Sequence, residues 1–195
     1  MQIMGNCIFL IVGCSGSGKT TITEQLEQKY GLKSIQSYTT RKPRYEGETG
    51  HIFISDEEFD KLTDMVAYTE FAGNRYCATA EQIENNDLYI IDPKGVDFFM
   101  KAYKGSKTPK IIFISSNLTT RYERMIGRAE IKGKSHQEAI ESSLTRIAND
   151  AGEFYDYIQG QAWIDYVCKN NSNDKLEDIV DKIFDHISSC ESEVR

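Results

Sequence analysis

This sequence of 195 residues lacks several features that would assign it to other classes of protein. Its net charge is −7, so the chain as a whole does not attract nucleic acid or an anionic membrane, and any phosphate site must be locally basic. The longest apolar run, from Cys7 to Val12, is far too short to span a bilayer. The N-terminus has neither the basic flank nor the cleavage site of a secretory signal. We therefore expect a soluble, cytoplasmic protein with no nucleic-acid and no membrane partner.

The cysteine pattern excludes two further kinds of protein. Five cysteines are an odd number, and none forms a C-x-x-C pair, which argues against a disulfide framework and against a zinc site. The sequence also has no internal repeat, no low-complexity tract and no linker. At this length the chain forms a single domain large enough to bury a substantial core.

One glycine-rich motif carries the first functional signal. Its residues are Gly13, Cys14, Ser15, Gly16, Ser17, Gly18, Lys19 and Thr20, and they read G-x-x-x-x-G-K-[ST]. The motif lies between the apolar run Cys7 to Val12 and a segment with helical spacing that Gly31 ends. Such a loop turns its backbone N–H groups around phosphates, the lysine adds a mobile positive charge, and the threonine hydroxyl is suited to Mg²⁺. The sequence therefore predicts a nucleoside triphosphate site.

The remaining pattern predicts an α/β fold with a parallel sheet flanked by helices. Strand-like runs alternate with helical segments, as a parallel sheet requires. The four predicted strands are Cys7 to Val12, Leu88 to Asp92, Lys110 to Ser115 and Ile164 to Lys169. The last helix, which contains Leu176, Ile183 and Ile187, has core-facing spacing and is expected to pack on the sheet.

Two segments do not follow this alternation of strands and helices. Residues 34–87 contain short extended pieces around a helix that Ser55 and Glu58 open in capping-box spacing, which predicts an inserted α+β lobe. Residues 128–151 are helical with a break at Glu130 to Ser135, which predicts a helical lid. The core then comprises residues 1–33, 88–127 and 152–190.

The stretch Ser37-Tyr38-Thr39-Thr40-Arg41-Lys42-Pro43-Arg44 resembles the S-x-T-T-R-x-P-R signature of guanylate kinases. Further matches follow in family order and span nearly the whole chain. They are Gly47-Glu48, Gly50 before Phe53-Ile54-Ser55, Glu70-Phe71, Gly73-Asn74-Arg75-Tyr76, Asp92 with Gly95-Val96, Arg124 to Arg128, and Arg146 with Glu153. The resemblance implies a P-loop NTPase fold with a GMP-binding lobe and a lid, ATP and GMP as substrates, and Mg²⁺ as cofactor. Since none of the matched residues clearly requires a ribose 2′-hydroxyl, dGMP is a further candidate acceptor. The chain would then be a monomer or a homodimer.

The resemblance also implies roles for individual residues. Ser37 and Glu70 would contact the guanine, whose two adjacent donors suit a carboxylate. Arg41, Arg44 and Tyr76 would hold the phosphate of GMP, and arginine is suited to a bidentate grip on phosphate. The other implied GMP-binding residues are His51, at the position of a family tyrosine, and Asp92, at the end of a strand.

The donor side and the lid complete the implied site. Lys19, Arg128 and Arg146 would join Arg41 in catalysis, neutralising charge on the transferred phosphoryl group while lid closure excludes water. Thr20 would be the metal ligand, and Asn170 lies where the family has an asparagine near the ATP base. Phosphoryl transfer needs positioning and positive charge rather than a protein nucleophile, so no Ser-His-Asp or Cys-His arrangement is expected.

The sequence departs from the family at several positions, and these departures leave the acceptor and the activity open. Ile90 replaces the first carboxylate of a D-x-D pair, while Cys77 and Ala78 replace a glycine and a hydroxyl residue after Arg75. A kinase of the same fold could phosphorylate another nucleotide or a ribose bisphosphate, which has no base for Glu70 to contact. The sequence also leaves open an inactive guanylate-kinase-like binding module and a P-loop hydrolase.

Overall fold

In a computed structural model, the protein is described over residues 5–43, 46–71, 73–159 and 164–194. The strands in this part of the chain are β1 (Cys7–Val12), β2 (Ser37–Thr39), β3 (His51–Phe53), β4 (Met65–Phe71), β5 (Asn74–Thr79), β6 (Leu88–Ile90), β7 (Thr108–Ser115) and β8 (Tyr166–Lys169). The helices are α1 (Lys19–Tyr30), α2 (Asp56–Phe59), α3 (Ala80–Asn85), α4 (Pro93–Ala102), α5 (Leu118–Ile131), α6 (His136–Gln159) and α7 (Leu176–Glu193).

The core is a parallel sheet in the order β6-β1-β7-β8, which confirms the predicted α/β class. All six residues of β1 are buried because both faces of this central strand are covered. Ile8, Leu10 and Val12 enter one hydrophobic cluster, and the residues between them enter the other, as strand alternation requires. The predicted strand from Leu88 to Asp92 ends at Ile90, since Asp92 caps the following helix.

Helices cover the two faces of this sheet differently. Helices α1 and α7 supply Ile22, Leu26, Ile179 and Ile183 to one cluster, in agreement with the predicted packing of the last helix. The other cluster contains Phe99 of α4 and Phe154 of α6. That second cluster continues into the inserted lobe through Val66, Ala67 and Ala78, so one apolar interior joins core and lobe.

Residues 34–87 form a second four-stranded sheet in the order β3-β2-β5-β4. Strands β2 and β3 are parallel, whereas β5 is antiparallel to both β2 and β4. The predicted capping box is present at α2, where Glu58 N donates to Ser55 Oγ over 3.1 Å and Ser55 N donates to Glu58 Oε2 over 2.8 Å. Thr79 and Gln82 form a second capping box at α3, immediately after β5.

The predicted lid boundaries fall inside continuous helices. Helix α5 runs to Ile131 and α6 begins at His136, so the predicted break at Glu130 to Ser135 covers the end of α5 and the residues between the two helices. The predicted divisions at 127/128 and 151/152 fall inside helices, because Arg128 lies in the last turn of α5 and α6 is continuous from His136 to Gln159. Across the described ranges, none of the helices combines the length and apolar character needed to cross a membrane.

Candidate functional site

The glycine-rich loop between β1 and α1 has a backbone that only small residues permit. Gly18 caps α1 at φ 94°, and a Cβ there would lie 2.4 Å from Asn170 Nδ2. Gly16 has φ 78°, and its Cβ would lie 2.7 Å from the carbonyl oxygen of Arg121. The glycines of the motif therefore allow the turn itself and also let the loop backbone lie close to α5 and to the end of β8.

Lys19 is folded back over this loop. Its Nζ donates to Gly13 O over 2.5 Å and to Cys14 O over 3.2 Å. Burial lowers the pKa of Lys19 to about 8, and Asp150 partly opposes that shift. Burial also raises the pKa of the Cys14 thiol, which keeps the thiol neutral near pH 7. An anion entering the loop would replace backbone carbonyls as the partner of the Lys19 ammonium group.

Asn170, predicted near an ATP base, supports the loop from beneath. Its Nδ2 donates to Ser17 O over 2.8 Å, and the residue is only 4% exposed. Arg124 donates to both oxygens of Asn170, each over 3.1 Å, and Arg124 Nη1 also reaches Ser17 O at 3.5 Å. These bonds fix the loop against α5 and leave the Asn170 amide occupied.

Three predicted cations converge on a cavity of about 430 Å³, which we call the P-loop cavity. Lys19 lies at its base, Arg128 comes from the last turn of α5, and Arg146 comes from α6. The cavity lining also contains Ser15, Gly16, Gly18, Thr20, Thr21 and Arg124. Such a ring of positive charge at a helix N-terminus favours a polyphosphate.

A second cavity, of about 190 Å³, lies between the inserted lobe and the core and is called here the lobe cavity. Ser37, His51 and Tyr76 all line it, although they come from three different strands. Parallel pairing puts Ser37 opposite His51, and Ser37 Oγ lies 2.9 Å from His51 Nδ1. The His51 ring centroid is 5.6 Å from that of Tyr76. Sheet register thus brings three predicted site residues together.

Arg41 is held in a defined orientation by Glu48. Its Nη2 and Nη1 donate to the two carboxylate oxygens over 2.9 and 3.1 Å, and these side chains are 12% and 6% exposed. The guanidinium also lies 5.2 Å from the centroid of Phe53. Hydrogen bonding to Glu48 raises the pKa of Arg41, so the guanidinium remains charged. Arg44, the other predicted phosphate ligand, lies outside the described residues.

Asp92 lies where the sheet and the lobe meet. Its Oδ1 accepts from Gly95 N over 2.6 Å and so caps α4, while Pro93 occupies the first turn. Burial raises the pKa of Asp92, and hydrogen bonds from Gly95 and Thr69 oppose that rise. The side chain still lines the lobe cavity, so capping and a functional role are compatible.

Glu70 is not brought together with the other predicted lobe residues. It is exposed near the end of β4, its carboxylate accepts a hydrogen bond from Tyr68 Oη, and Arg75 is its register partner. Ala67 and Ala78 are paired in register deeper in the sheet, and Ala67 lines the cavity wall. Strand β4 thus lines the cavity that Ser37 lines through residues on both sides of Glu70, while Glu70 itself is absent from its lining.

A central cavity of about 250 Å³ lies between the P-loop cavity and the lobe cavity. It shares Ser15, Lys19 and Arg146 with the P-loop cavity. With the lobe cavity it shares Phe71, Ile90, Ile91 and Asp92. The three cavities therefore lie next to one another from the glycine-rich loop to the inserted lobe, and predicted residues from both ends line the central one.

Two residues at this centre were not singled out as site residues by the sequence. Asp150 accepts hydrogen bonds from Ser15 N over 2.8 Å and from Ser15 Oγ over 3.1 Å. Arg121 donates to the same carboxylate and, through Nε, to Ser15 O over 2.9 Å. Asp150 follows Arg146 by four residues on α6, a spacing that places both on one helix face and could have drawn attention to it.

Comparison with known proteins agrees with this architecture. Residues 6–189 match the family model described as guanylate kinase. A guanylate kinase from Chlamydia pneumoniae is 32% identical over 167 residues, covering 77% of this chain and 78% of that protein. One from Neisseria gonorrhoeae (strain ATCC 700825 / FA 1090) is 29% identical over 183 residues, covering 87% and 82%.

The solved structure of guanylate kinase from Anaplasma phagocytophilum superposes on the fold with a TM-score of 0.61 at 21% identity, covering 95% of this chain and 87% of that one. At that identity the likeness concerns the fold alone. The family model, however, spans nearly the whole chain, and it includes both the glycine-rich loop and the lobe. This chain belongs to the guanylate kinase family.

Proposed function

We propose that the protein is a guanylate kinase that transfers the γ-phosphoryl group of ATP to GMP, giving ADP and GDP. The observation that carries this proposal is the series of three neighbouring cavities, in which the central cavity shares lining residues with both the P-loop cavity and the lobe cavity. Direct transfer between two bound nucleotides requires that donor and acceptor phosphates meet in one water-poor space. Family membership supports the same reaction.

On the donor side, Lys19 would exchange its carbonyl partners for the β- and γ-phosphates of ATP. Loop N–H groups and the N-terminal dipole of α1 would add further positive potential. Arg128 and Arg146 would neutralise charge that develops on the transferred group. Asn170 would act indirectly by fixing the loop backbone through Ser17.

On the acceptor side, Arg41 would hold the GMP phosphate together with Tyr76 and Arg44. Glu48 would position Arg41, because it grips the guanidinium in a bidentate pair and orients the whole group. The Ser37–His51 pair would contact the base or its phosphate from the facing strands. Asp92, at the junction of the cavities, would orient the acceptor end that receives the phosphoryl group.

Mg²⁺ is the cofactor that this reaction implies, and Thr20 is the residue that would hold it. The fit is good, since Mg²⁺ prefers hard oxygen ligands and takes few from protein when phosphates are present. In the part of the chain that is described, no group of three or more His, Cys, Asp or Glu could hold a metal, which suits a cation held mainly by nucleotide. When bound, the ion neutralises phosphate charge.

The test is release of ADP from ATP and Mg²⁺ in the presence of a panel of nucleoside monophosphates. We expect turnover that depends on GMP, and its loss in Arg41→Ala. Rapid ADP release without any acceptor would contradict the proposal and favour a hydrolase. Absence of both ATP binding and turnover would favour a binding module.

A second candidate acceptor is favoured by one specific observation. Glu70 does not line the lobe cavity, to which strand β4 contributes Ala67, Tyr68, Thr69 and Phe71 but no carboxylate. A kinase of this architecture with a different phosphorylated acceptor would need no carboxylate at that wall. In the same panel, turnover with a different acceptor that exceeds turnover with GMP would establish that acceptor as the substrate.

A further inference from the structure

Asp150 places a negative charge against a loop whose function is to bind anions. Its carboxylate accepts from both Ser15 N and Ser15 Oγ, so it occupies a backbone donor of the glycine-rich loop. The residue is only 7% exposed. Loop N–H groups of this kind are normally available to phosphate. Asp150 therefore acts as an internal anion at the loop.

Arg121 makes this buried charge tolerable. Its Nη2 donates to the Asp150 carboxylate, while its Nε donates to Ser15 O over 2.9 Å. The two side chains are 12% and 10% exposed, so their pairing is shielded from water. A buried carboxylate without such a partner would carry a large desolvation cost. The pair thus holds Ser15 in two ways: Asp150 accepts from its N–H and hydroxyl groups, and Arg121 donates to its carbonyl oxygen.

The position of Asp150 indicates which phosphate of ATP would lie next to it. It lines the central cavity with Lys19 and Arg146, whereas the lining of the P-loop cavity does not include it. The central cavity leads toward Asp92 and the lobe, so it would receive the terminal phosphate of the donor. Glu153, seven residues after Arg146 on the same helix, adds a further carboxylate there.

We infer that Asp150, held by Arg121, competes with the terminal phosphate of ATP for the loop and thereby sets the donor affinity. Arg121 is a positioning residue, since it acts through the Asp150 carboxylate. Release of Ser15 by Asp150 is then a step of ATP binding, and Asp150 can return to Ser15 while ADP is still bound, because ADP lacks the competing phosphate. This inference rests on the proposed function only in taking ATP as the donor.

The experiment is direct binding of ATP and ADP, without any acceptor, to the intact protein by calorimetry at about pH 6, well below the pKa of Lys19. At that pH, removing Asp150, which raises the Lys19 pKa, does not neutralise the ammonium group. Asp150→Asn keeps the shape and removes the charge, so ATP should bind about tenfold more tightly. The ADP dissociation constant should change by less than about threefold, because ADP lacks the competing phosphate. Arg121→Met leaves the carboxylate without its counter-charge, so ATP should bind about tenfold more weakly.

The opposite signs separate this inference from a structural role, which would weaken nucleotide binding in both variants. Weaker ATP binding in Asp150→Asn, or equal effects on ATP and ADP, would therefore overturn it. Glu141→Gln, an exposed change of the same charge on the same helix, is the matched control and should alter neither constant.

Thermal unfolding checks that each variant is folded. If Asp150→Asn does not fold, Arg121→Lys compared with Arg121→Met decides the question, since only the lysine variant retains the counter-charge. ATP affinity that is equal in these two variants would also overturn the inference. A wild-type protein that binds no ATP would instead contradict the proposed function.

Discussion

The two ends of the site are constructed differently. The P-loop end uses consecutive residues, and its backbone is fixed by bonds from Asn170, Arg124 and Arg121 to loop carbonyls or to the residues that hold them. The lobe end uses side chains from separate strands, whose meeting depends on the pairing of β2 with β3 and β5. Ser37 and His51 come together only through that register.

This difference explains which end is more easily altered. A Cβ atom added at Gly16 or Gly18 would lie within 2.7 Å of a neighbouring atom, so these two positions accept almost no substitution. The wall of the lobe cavity can change one side chain at a time, because each strand contributes alternate residues without changing its backbone. Donor binding should therefore depend on a few invariable atoms, while acceptor choice can vary.

The largest expected effect lies at the P-loop end. Lys19→Met should lower kcat by on the order of a thousandfold, because removing one preorganised positive contact to the reacting phosphate costs that much. Steady-state ADP release with ATP and GMP measures it. Lys182→Met, an exposed change on α7, is the control and should leave kcat unchanged. Equal loss in both variants would remove the special role of Lys19.

At the lobe end, the expected loss is in acceptor affinity. Arg41→Met should raise the KM for GMP by about a hundredfold while the KM for ATP changes little, since a bidentate phosphate contact is lost. Glu48→Gln should give a smaller rise of about tenfold, because it loosens rather than removes the guanidinium. An equal rise of the KM values for GMP and ATP in Arg41→Met would show that the lobe end and the P-loop end do not bind their substrates independently.

The lowered pKa of Lys19 predicts a pH dependence that belongs to the P-loop end alone. The protonated amine binds phosphate, and its fraction falls as pH rises above about 8. The ATP dissociation constant should therefore be flat below that value and rise about tenfold per pH unit above it. Binding titrations across the neutral and alkaline range measure this limb. In Lys19→Arg, whose side chain stays charged, the ATP dissociation constant should not rise in this pH range. A rise that persists in this variant would mean that another group titrates.

The smallest expected effect tests the position of Glu70. Glu70→Gln should change the KM for GMP by less than about twofold, because its carboxylate is exposed and does not line the lobe cavity. Ser37→Ala should raise the same KM by about fivefold, since it removes a hydrogen-bonding group that lines the cavity. A larger effect from Glu70→Gln would mean that the lobe closes around GMP and brings Glu70 inward.

Much of the fold was predictable because it follows from local patterns. The apolar run at Cys7 to Val12 is the central strand, Gly31 ends α1 in a left-handed conformation, and Ser55 with Glu58 forms the predicted cap. Strand β5 is harder to recognise, because residues 74–79 lack a clear alternation and follow a glycine that indicates a turn. Its strand character comes from pairing with β2 and β4.

The candidate site was predictable in part for the same reason. The P-loop motif specifies its own geometry, so its position at the start of α1 follows from sequence. The roles of Asn170 and Glu70 do not follow in this way, because they depend on which neighbour each side chain reaches. Asp150 gave only a weak signal, since a carboxylate one turn after Arg146 is common on solvated helix faces.

By itself, the sequence determined the parallel α/β class, the phosphate-binding loop and the set of arginines available for two nucleotides. Those features depend on contacts within a few residues or on backbone conformations that glycine alone permits. Only the tertiary structure decided that Glu48 grips Arg41, that Glu70 does not line the lobe cavity, and that Asp150 reaches Ser15. The reason is that these contacts depend on how separate segments pack, and strand register and helix packing fix which side chains meet.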